Sequence, residues 1–553
     1  MTMPTPKTNS SNTKYIFVTG GVLSGLGKGV VVASLGKLIS LHGIKVTCAK
    51  IDPYINVDAG TMNPLIHGEV FVTDDGGETD MDLGTYERFL DRNMSKENNL
   101  TTGQVYLKVI QAERRGDLLG KCIQIIPHVT DAIKDMLKQI SVNQGGGLLI
   151  VEIGGTVGDI ESLPFLEAVR QIGLDEESSD TLFVHVTLAP VLDAVGEEKT
   201  KPTQHSVQEL RRIGIQPDIL VVRSVKTLSI ESKRKISLFT SVELENIISN
   251  PDSTSIYTVP ENLYDEGIID SIKKKLSLRE MEMAWGNWRN ISRSFSSTSD
   301  EIKIGMIGKY VSLADSYVSV NHALQHAASA QNTSAKVEWV DSSEFENDIG
   351  LLSNLDIYDG ILIPGGFGKR GSEGKILTAN YAREKSIPFL GLCLGFQLAI
   401  VAFGRYACNI RDAHSAEIDP DTKNPVIDLL PDQKGIGEMG ATMRLGGHDI
   451  EIVDGSLAHK VYSSKTIRQR HRHRFEFNSE YLETFESTGL KLTGFSDERR
   501  RAEILEIPSH PFYMATQYHP EFVSRPDTPE PIFSHFIRAA IVKKRTEVIA
   551  TES

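Results

Sequence analysis

The sequence predicts an α/β protein built from two doubly wound domains, and three observations lead to that prediction. Short β-branched runs such as Tyr15–Thr19 and Leu148–Ile153 alternate with amphipathic stretches; continuous apolar strands are typical of a parallel sheet covered by helices on both faces. A chain of 553 residues is too long for one ordinary core. A second series of strands starts at Glu301, after the serine-rich stretch NISRSFSSTSD at residues 290–300.

The individual elements follow from the same patterns. In the first series a helix is expected over Lys28–Leu41, and further strands are expected at Lys45–Ile51, Leu182–Leu188 and Ile219–Arg223. In the second series the predicted strands are Glu301–Ile307, Gly360–Ile363, Pro388–Leu392 and Tyr513–Gln517. We predict a first domain over residues 1–276, a linker over 277–300 and a second domain over 301–553, with a helical stretch across Asp265–Trp288.

Composition and charge exclude several classes of protein. The net charge is −14, which opposes general affinity for nucleic acid or an anionic membrane. The four cysteines include no CxxC pair, so reduced thiols are expected rather than a zinc site or a disulfide framework. The first fourteen residues are polar, and no apolar run approaches the ~20 residues that cross a bilayer. The sequence therefore predicts a cytoplasmic protein without a membrane segment.

A glycine-rich loop, TGGVLSGLGKG at residues 19–29, joins the first predicted strand to the first helix. Backbone amides, the helix N-terminus and Lys28 together suit a phosphate group. Five residues rather than four separate Gly21 from Gly27, and Gly29 stands where Ser or Thr usually contacts magnesium. Metal ligands are therefore expected elsewhere, in residues 78–82 or 151–155. Glu152 is the better candidate, because an acid that ends an apolar strand needs a partner.

A nucleophile is expected in the second domain. Cys393 lies in a G-x-C-x-G sequence after a predicted strand, which is typical of a sharp turn that presents a nucleophile. A thiol that attacks an amide needs a base, and His519, followed by Glu521, provides an imidazole with a carboxylate to orient it. The sequence PGGFG at residues 364–368 is expected to present amides to an oxyanion.

Longer runs resemble a known family. TGGVLSGLGKG, then residues 50–89 (KIDPYINVDAGTMNPLIHGEVFVTDDGGETDMDLGTYERF), then EIGGTVGDIES and GEEKTKPTQHSVQELRRIGIQPD resemble the synthetase domain of CTP synthases. The Cys393, His519 and Glu521 pattern resembles class I glutamine amidotransferases, and the resemblance extends over nearly the entire chain. It implies a dethiobiotin-synthetase-like phosphate-loop domain followed by a glutamine amidotransferase domain.

The resemblance implies roles for individual residues. The catalytic triad would be Cys393, His519 and Glu521, and the magnesium ligands would be Asp82 and Glu152. ATP would be bound by Ser24, Gly25, Leu26, Gly27, Lys28, Gly29, Lys50 and Asp82. UTP, and CTP in an overlapping site, would be bound by Ser24, Asp159, Ile160, Glu161, Lys199, Thr200, Lys201, Pro202, Thr203, Gln204 and Lys235. Glutamine would be bound by Gly366, Leu394, Gly395, Phe396, Gln397, Glu417 and Arg474, and Arg370 and Glu373 would respond to the activator GTP.

The implied reaction uses ATP, UTP and L-glutamine with Mg²⁺. ATP would phosphorylate O4 of UTP, and ammonia freed from glutamine would pass through an internal tunnel and displace the phosphate. GTP would activate the enzyme and CTP would inhibit it. The resemblance further implies a homotetramer, a dimer of dimers whose pyrimidine sites are completed by neighbouring subunits.

Other functions compete with this interpretation. A cobyrinic-acid-type amidotransferase has the same pair of domains but amidates carboxylates; the KTKPTQ run favours the pyrimidine nucleotide. A silent, filament-forming scaffold would have no reason to keep Lys28, Cys393 and His519 together. The basic run RQRHRHR at residues 468–474 resembles a nucleic-acid patch by composition, but seven residues on an acidic protein are weak support.

Overall fold

The chain forms two compact units, which are described separately. In this computed structural model the first unit contains Met1–Ala59 and Asp82–Ser296, and the second contains Gly60–Met81 and Ser297–Ser553. The structure describes residues 13–177, 179–192, 197–279, 282–295, 300–309, 314–429 and 443–552.

The elements before residue 296 belong to the first series. The strands are β1 (Lys14–Gly20), β2 (Val46–Asp52), β3 (Val70–Val72), β4 (Glu78–Asp80), β5 (Asn99–Thr101), β6 (Leu148–Ile153), β7 (Thr181–Leu188), β8 (Val191–Leu192), β9 (Glu197–Glu198), β10 (Ile219–Ser224) and β11 (Ile247–Pro251). The helices are α1 (Lys28–Leu41), α2 (Pro64–His67), α3 (Asp82–Leu90), α4 (Thr102–Arg115), α5 (Thr130–Asn143), α6 (Leu163–Asp175), α7 (Lys201–Arg212), α8 (Ile230–Thr240), α9 (Val259–Asp265), α10 (Ile268–Leu276) and α11 (Trp288–Ser294).

A seven-stranded sheet is the centre of the first unit. Its strand order is β11-β10-β7-β1-β6-β2-β5, and every neighbouring pair is parallel. All seven residues of β2 are buried, as expected for a strand covered on both faces. The order places β1 centrally, so the loop after β1 lies at the carboxyl edge, where such sheets bind ligands.

The elements from residue 300 onwards form the second series. The strands are β12 (Glu301–Gly308), β13 (Ser334–Asp341), β14 (Gly360–Ile363), β15 (Phe389–Leu392), β16 (Ala413–Ser415), β17 (Asn424–Leu429), β18 (Arg444–Ile452), β19 (Thr466–His473), β20 (Phe475–Phe477), β21 (Lys491–Ser496), β22 (Arg501–Glu506) and β23 (Tyr513–Thr516). The helices are α12 (Val318–Ser329), α13 (Ser343–Asn347), α14 (Ser372–Lys385), α15 (Leu394–Tyr406), α16 (Leu457–Tyr462), α17 (Leu482–Thr488) and α18 (Pro531–Glu552).

The second unit is organised around a nine-stranded mixed sheet. Its order is β13-β12-β14-β15-β23-β22-β21-β18-β19. The strands from β13 to β23 pair in parallel, and those from β23 to β19 pair antiparallel. The parallel half therefore carries the α/β architecture, and β15 and β23 are adjacent in the middle of the nine-stranded sheet. The residues that follow these two strands are Cys393 and the Gln517–Glu521 stretch.

The hairpin formed by β3 and β4 belongs to the second unit, although its sequence lies in the first series. Arginines of β19 hold it: Arg472 Nε donates to Glu78 Oε1 at 2.8 Å, and an Arg470 guanidinium nitrogen donates to the carbonyl of Val72 at 3.0 Å. The Phe71 ring also packs on Phe522, with centroids 5.0 Å apart. Residues 60–81 thus have their partners in the unit that carries Cys393.

The predicted elements agree closely with the observed ones. The helix Lys28–Leu41 and the strands Leu148–Ile153 and Gly360–Ile363 have the predicted bounds, and the other predicted strands differ by one residue at one or both ends. The prediction of a helix through to Trp288 is wrong: α10 ends at Leu276, and residues 277–279 and 282–287 are not helical. Ser277, with a φ of 49°, ends α10 in the left-handed conformation.

Part of the predicted linker packs into the first unit. Trp288 in α11 is 1% exposed, and its ring lies 5.4 Å from that of Phe89 and 4.4 Å from the ammonium of Lys37. The serine-rich composition of the linker gave no indication that Trp288 would be buried. Among the described residues, no helix is both long and apolar enough to cross a bilayer.

Candidate active sites

The phosphate loop is the turn from β1 to α1. Gly27 precedes the helix with a φ of 88°, a conformation that favours glycine. Lys28 begins the helix, and its ammonium donates to the carbonyl of Gly155, after β6, at 2.8 Å. Its side chain folds back over Gly20, where an added Cβ would lie 2.6 Å from Lys28 Cδ. The loop thus aims one ammonium at the carboxyl ends of β1 and β6.

A buried charge cluster lies beside this loop. Lys50 on β2 is opposite Glu152 on β6 in the sheet register, and Lys50 Nζ donates to Glu152 Oε1 at 2.9 Å and to a carboxylate oxygen of Asp82. The hydroxyl of Tyr86, one turn after Asp82 on α3, donates to the other oxygen of Glu152. Lys50 thus brings together the two acids predicted as metal ligands.

Burial sets the protonation tendencies of this cluster. It raises the pKa of Glu152, with the charge of Asp82 acting in the same direction and Lys50 and Lys28 opposing. Burial also lowers the pKa of Lys28, and the negative charge of Glu152 opposes this by raising it. The pKa of Asp52, which accepts from Asn99 at 2.8 Å, rises to about 6 through burial. A cluster of acids and lysines at a strand-end cleft is typical of a site that receives a charged ligand.

The donor set fits a magnesium ion. Asp82 and Glu152 supply hard carboxylate oxygens from separate elements, and both converge on the single ammonium of Lys50. Mg²⁺ prefers one or two carboxylates together with phosphate and water oxygens. Glu78 and Asp80, the other acids of the predicted run, are engaged elsewhere: Glu78 binds Arg472, and Asp80 lies 3.6 Å from His67 Nε2.

The position of Asp82 explains why the loop has Gly29 in place of the usual Ser or Thr. A Cβ built on Gly29 would lie 2.0 Å from Asp82 Oδ1, so the carboxylate occupies the space that a hydroxyl residue would need. We expect Gly29→Ala to displace Asp82 and to lower the Mg²⁺- and ATP-dependent activity about 10–100-fold, given the loss of one or two metal contacts. Initial rates measured across a Mg²⁺ titration test this, and a rate equal to that of the wild type would refute it.

In the second unit a nucleophile elbow presents Cys393. The residue joins β15 to α15 with φ 50° and ψ −98°, a strained backbone typical of such turns. The neighbouring glycines allow close packing, since a Cβ on Gly395 would lie 2.2 Å from the carbonyl of Ile363 and one on Gly391 2.8 Å from that of Gly395. The thiol is thereby held at the N-terminus of α15.

His519 and Glu521 lie beside the thiol. His519 Nδ1 and Glu521 Oε1 are 2.7 Å apart. Gly365 lies against both His519 and Cys393, because a Cβ added to it would be 2.9 Å from His519 Cε1 and 3.6 Å from Cys393 Cβ. Burial lowers the pKa of His519, but the charges of Glu521 and Cys393 outweigh it and raise that pKa to about 10. The arrangement favours an imidazolium next to the sulfur.

The three side chains line a cavity of about 110 Å³ together with the glycine loop after β14. Gly365 and Gly366 form one wall, and Leu394 supplies the first backbone amide of α15. The first amides of a helix have no intrahelical acceptor, so this N–H is available to an oxyanion. The cavity therefore combines a thiol, an imidazole paired with a carboxylate, and a free edge of backbone amides at the start of α15.

Both units match known families. The family model described as "CTP synthase N-terminus" matches residues 14–278, and "Glutamine amidotransferase class-I" matches residues 312–539. CTP synthases of Thermococcus gammatolerans and Carboxydothermus hydrogenoformans are 51% and 52% identical to the chain, over 96% of this chain and 99% of each relative. The chain belongs to the CTP synthase family. It is a glutamine-hydrolysing ligase whose substrates are ATP, UTP and glutamine.

A solved structure is similar to the second unit. The Trypanosoma brucei CTPS glutaminase domain with bound acivicin is 36% identical, covers 43% of this chain and 94% of its own, and has a TM-score of 0.41.

Apart from Ser24, in the loop from β1 to α1, the residues predicted to bind the pyrimidine nucleotide form two groups in the first unit. Asp159, Ile160 and Glu161 are exposed after β6, and the other group lies near the start of α7, after β7. The sheet order places β1 between β6 and β7. The second group comprises Lys199, Thr200, Lys201, Pro202, Thr203 and Gln204, with Lys235 on α8.

Side chains of the second group differ in exposure. Thr203 Oγ1 donates to the carbonyl of Leu188 at 3.0 Å and Gln204 Nε2 to Thr200 Oγ1 at 3.0 Å, and both are buried. Lys199 Nζ lies 2.6 Å from Glu197, and the charge of Lys235 acts on the same carboxylate. Lys201 and Lys235 are thus the exposed members of this group, and Lys199 and Pro202 are partly exposed.

The predicted glutamine-binding residues lie in the second unit, in the loop after β14, on α15, after β16 and after β19. Gln397 is 2% exposed, and among the described residues no donor reaches its Oε1. The amide of Gly368 donates to Glu417 Oε1 at 3.0 Å, and burial raises the pKa of that carboxyl. Arg474 is half-buried directly after β19. Phe396, by contrast, is fully buried in α15 and belongs to the hydrophobic core.

The two residues predicted to respond to GTP have protein partners. Arg370 lies 3.5 Å from Asp341 and is largely exposed. Glu373 pairs with Arg405 at 2.7 Å and with His414 at 3.3 Å. These contacts, His414 foremost, lower the pKa of Glu373 to about 2.

The basic run RQRHRHR is not a surface patch. Arg470, His471, Arg472 and His473 are all buried in β19. Arg470 and Arg472 bind the β3–β4 hairpin. His471 and His473 lie in a cluster with Glu503, in which one ring nitrogen of each histidine and one carboxylate oxygen are within 4.8 Å of one another. Glu503 also binds the Arg444 guanidinium at 2.7 Å, which already balances its charge, so the cluster is better explained by hydrogen bonding than by a cation.

Two residues in direct contact with Glu152 and Cys393 were not predicted from the sequence. The Tyr86 hydroxyl donates to Glu152. Its position one helical turn after Asp82 was the sequence feature that could have predicted this contact. Gln517 approaches Cys393 Sγ at 3.9 Å; it could have been suspected from its position directly after β23 and two residues before His519.

Proposed function

We propose that Cys393, His519 and Glu521 hydrolyse glutamine and that the β1–α1 loop with Lys50, Asp82 and Glu152 transfers the γ-phosphoryl group of ATP to O4 of UTP. The observation that supports the first half best is the convergence of the strained Cys393 elbow, the His519–Glu521 pair and the glycine loop on one cavity. The support for the second half is the cluster of Lys28, Lys50 and two carboxylates at the sheet's carboxyl edge.

Glutamine hydrolysis would proceed by covalent catalysis. The Cys393 sulfur, its proton taken by His519, attacks the side-chain amide carbon, and the oxyanion accepts from the amides of Gly366 and Leu394. Collapse breaks the C–N bond as His519 returns the proton to the leaving nitrogen, which gives a glutamyl thioester and ammonia. Water then hydrolyses the thioester. Leu394, Gly395, Phe396, Gln397, Glu417 and Arg474 would complete the glutamine site.

UTP activation would depend on charge. Amides of Ser24, Gly25, Leu26, Gly27 and Gly29 would cradle the ATP phosphates, while Lys28 and Lys50 neutralise the transferring group. Asp82 and Glu152 would hold Mg²⁺, which when bound neutralises phosphate charge. Ammonia, passed internally, adds at C4 of the 4-phosphorylated UTP, and phosphate leaves. Asp159 to Glu161, Lys199 to Gln204, Lys235 and Ser24 would hold UTP or inhibitory CTP.

Assays of the purified protein with UTP, ATP, Mg²⁺ and glutamine test this assignment. We expect CTP, ADP, phosphate and glutamate in equal amounts. A protein that amidates a corrinoid carboxylate instead, or that turns over nothing, would refute it.

Glu161 provides a test of the pyrimidine site. It is exposed after β6, where its carboxylate would accept from an amine or hydroxyl of the bound nucleotide. We expect Glu161→Ala to raise the CTP concentration for half inhibition about 10-fold, the cost of one hydrogen bond to a charged group. Glu177→Ala, another exposed acid of the same unit, is the control. Inhibition curves that match the wild type would remove Glu161 from the site.

The remaining assignments concern assembly and control. We propose a homotetramer, a dimer of dimers, because an apolar groove of about 760 Å³ exposes Ile55, Ile126 and Ile160 on the first unit. We also propose activation by GTP through Arg370 and Glu373, a cytoplasmic location, and domains over residues 1–276 and 301–553. Sedimentation with and without UTP and ATP tests the assembly.

A further inference from the structure

The sulfur of Cys393 lies between two polar groups of opposite character. The carbonyl of Arg472 is 3.7 Å away, and the side-chain nitrogen of Gln517 is 3.9 Å away. A carbonyl can only accept, so it bonds the protonated thiol and repels the thiolate. An amide N–H can only donate, so it stabilises the thiolate. Gln517 is 0% exposed, and water does not compete for that contact.

The orientation of the Gln517 amide follows from its neighbours. The carbonyl of Phe475 must accept, so the atom of Gln397 that lies 2.9 Å from it is the amide nitrogen. The same Gln397 nitrogen lies 3.3 Å from the side-chain amide of Gln517. Its second hydrogen therefore bonds the Gln517 oxygen, Oε1. The nitrogen of Gln517 is left facing the sulfur. Reversing either amide would place two oxygens, or two N–H groups, against each other.

The Phe475 carbonyl is itself fixed by a buried histidine. His473 Nδ1 donates to it at 3.0 Å, and His471 Nδ1 lies 3.1 Å from His473 Nε2. Burial and the charge of Arg444 hold the pKa of both imidazoles well below its ordinary value, so both are neutral. Both lone pairs of the carbonyl are then occupied, one by His473 and one by Gln397. The Phe475 carbonyl thus anchors the Gln397 amide, and from Gln397 the donors run in one direction, to Gln517 and then to the sulfur.

We propose that Gln517 is a further catalytic residue of the glutaminase reaction, which donates an N–H to the Cys393 thiolate, and that Gln397 and His473 position it. The inference rests on the proposed role of Cys393 as nucleophile. In this step the S–H bond breaks, its proton moves to His519 Nε2, and the Gln517 contact becomes a charge-assisted hydrogen bond. The N-terminus of α15 acts on the same charge.

Gln517→Met tests the proposal, because methionine keeps the length of the side chain but cannot donate. Iodoacetamide alkylation of Cys393, followed by peptide mass spectrometry across a pH series, reports where the thiolate forms. We expect its inflection to move up by about one to two pH units, the value of a hydrogen bond to a charged group. Glutamine kcat/KM should fall about 10–100-fold in parallel, with ammonia-dependent synthesis unchanged.

Gln517→Glu provides a second variant. It keeps the shape and still accepts from Gln397, but it places an oxygen where the N–H faced the sulfur. We expect an upward shift larger than that of Gln517→Met, since a carboxylate repels the thiolate.

Two controls separate this role from a structural one. Cys122 is exposed, and its alkylation in the same samples should have the same pH dependence in every variant. Gln469→Met removes another buried amide of the same unit, one that donates to Glu530 at 3.2 Å, and should leave the Cys393 inflection unchanged. A purely structural effect would move kcat/KM without moving the inflection.

Each outcome decides between explanations. An unchanged Cys393 inflection in both Gln517 variants would overturn the proposal, and loss of ammonia-dependent synthesis in both would assign Gln517 to the fold instead. The role of Cys393 is checked separately in the wild type: if alkylation of this residue leaves glutamine-dependent synthesis intact, the nucleophile is misassigned, whatever Gln517 does.

Discussion

Replacing Cys393 with alanine is expected to abolish glutamine-dependent CTP synthesis while ammonia-dependent synthesis continues at the rate of the wild type. The thiol is the only proposed nucleophile for the amide, and loss of a nucleophile from a coupled triad lowers turnover by at least ~10³-fold. The phosphate loop, Lys50 and the two carboxylates all belong to the other compact unit, so phosphorylation of UTP does not require the sulfur. CTP formation measured with each nitrogen source gives the comparison.

The matched control is Cys408→Ala, which removes a half-buried thiol of the same unit. It should synthesise CTP from glutamine as the wild type does. If Cys393→Ala lost both activities, the division of labour between the units would be wrong; if it kept glutamine-dependent synthesis, another group would have to be the nucleophile.

Lys28→Ala is expected to remove CTP synthesis from glutamine and from ammonia alike. The ammonium of Lys28 begins α1 and reaches the loop after β6, where it would neutralise the phosphoryl group in transit. Loss of one such cation costs roughly 10³-fold in comparable phosphoryl transfers. Because Lys50 is held by Asp82 and Glu152, it cannot move to replace the missing charge without breaking both ion pairs.

Rates with saturating ammonia make the Lys28 test independent of the glutaminase unit. Lys226→Ala, at an exposed position after β10, controls for loss of a surface cation. Synthesis that persists in Lys28→Ala would show that the loop does not act on the transferring group. Loss of activity with glutamine alone would point to an effect on ammonia supply instead.

Local sequence predicted the elements and much of both sites. The bounds of α1, β6 and β14 were fixed by apolar runs and their flanking glycines, which act through neighbours only a few residues away. The Cys393 elbow was predictable for the same reason, since its strained turn requires Gly391 and Gly395 on either side. The His519–Glu521 pair was predictable because residues two positions apart stay close in space, and a 3-10 turn over Pro520–Phe522 brings the carboxylate to the ring.

Contacts between distant segments were not predictable in this way. Lys50 and Glu152 are 102 positions apart, and only the order β6-β2 makes them neighbours. Arg472 and Glu78 are 394 positions apart, and that contact groups the β3–β4 hairpin with the second unit, although its sequence resembles the synthetase domain. The run RQRHRHR, buried from Gln469 to His473, looked like a surface patch because composition carries no information about burial.

The sequence by itself therefore determined the two α/β series, the phosphate loop and the local turn that carries Cys393, the proposed nucleophile. Each of these depends on short-range backbone geometry, which nearby residues dictate. Only the tertiary structure decided that Asp82 and Glu152 share Lys50 and that Gln517 turns its amide nitrogen to the sulfur. Those features depend on which strands are adjacent in the sheets, and the order of strands is set by the packing of the whole core.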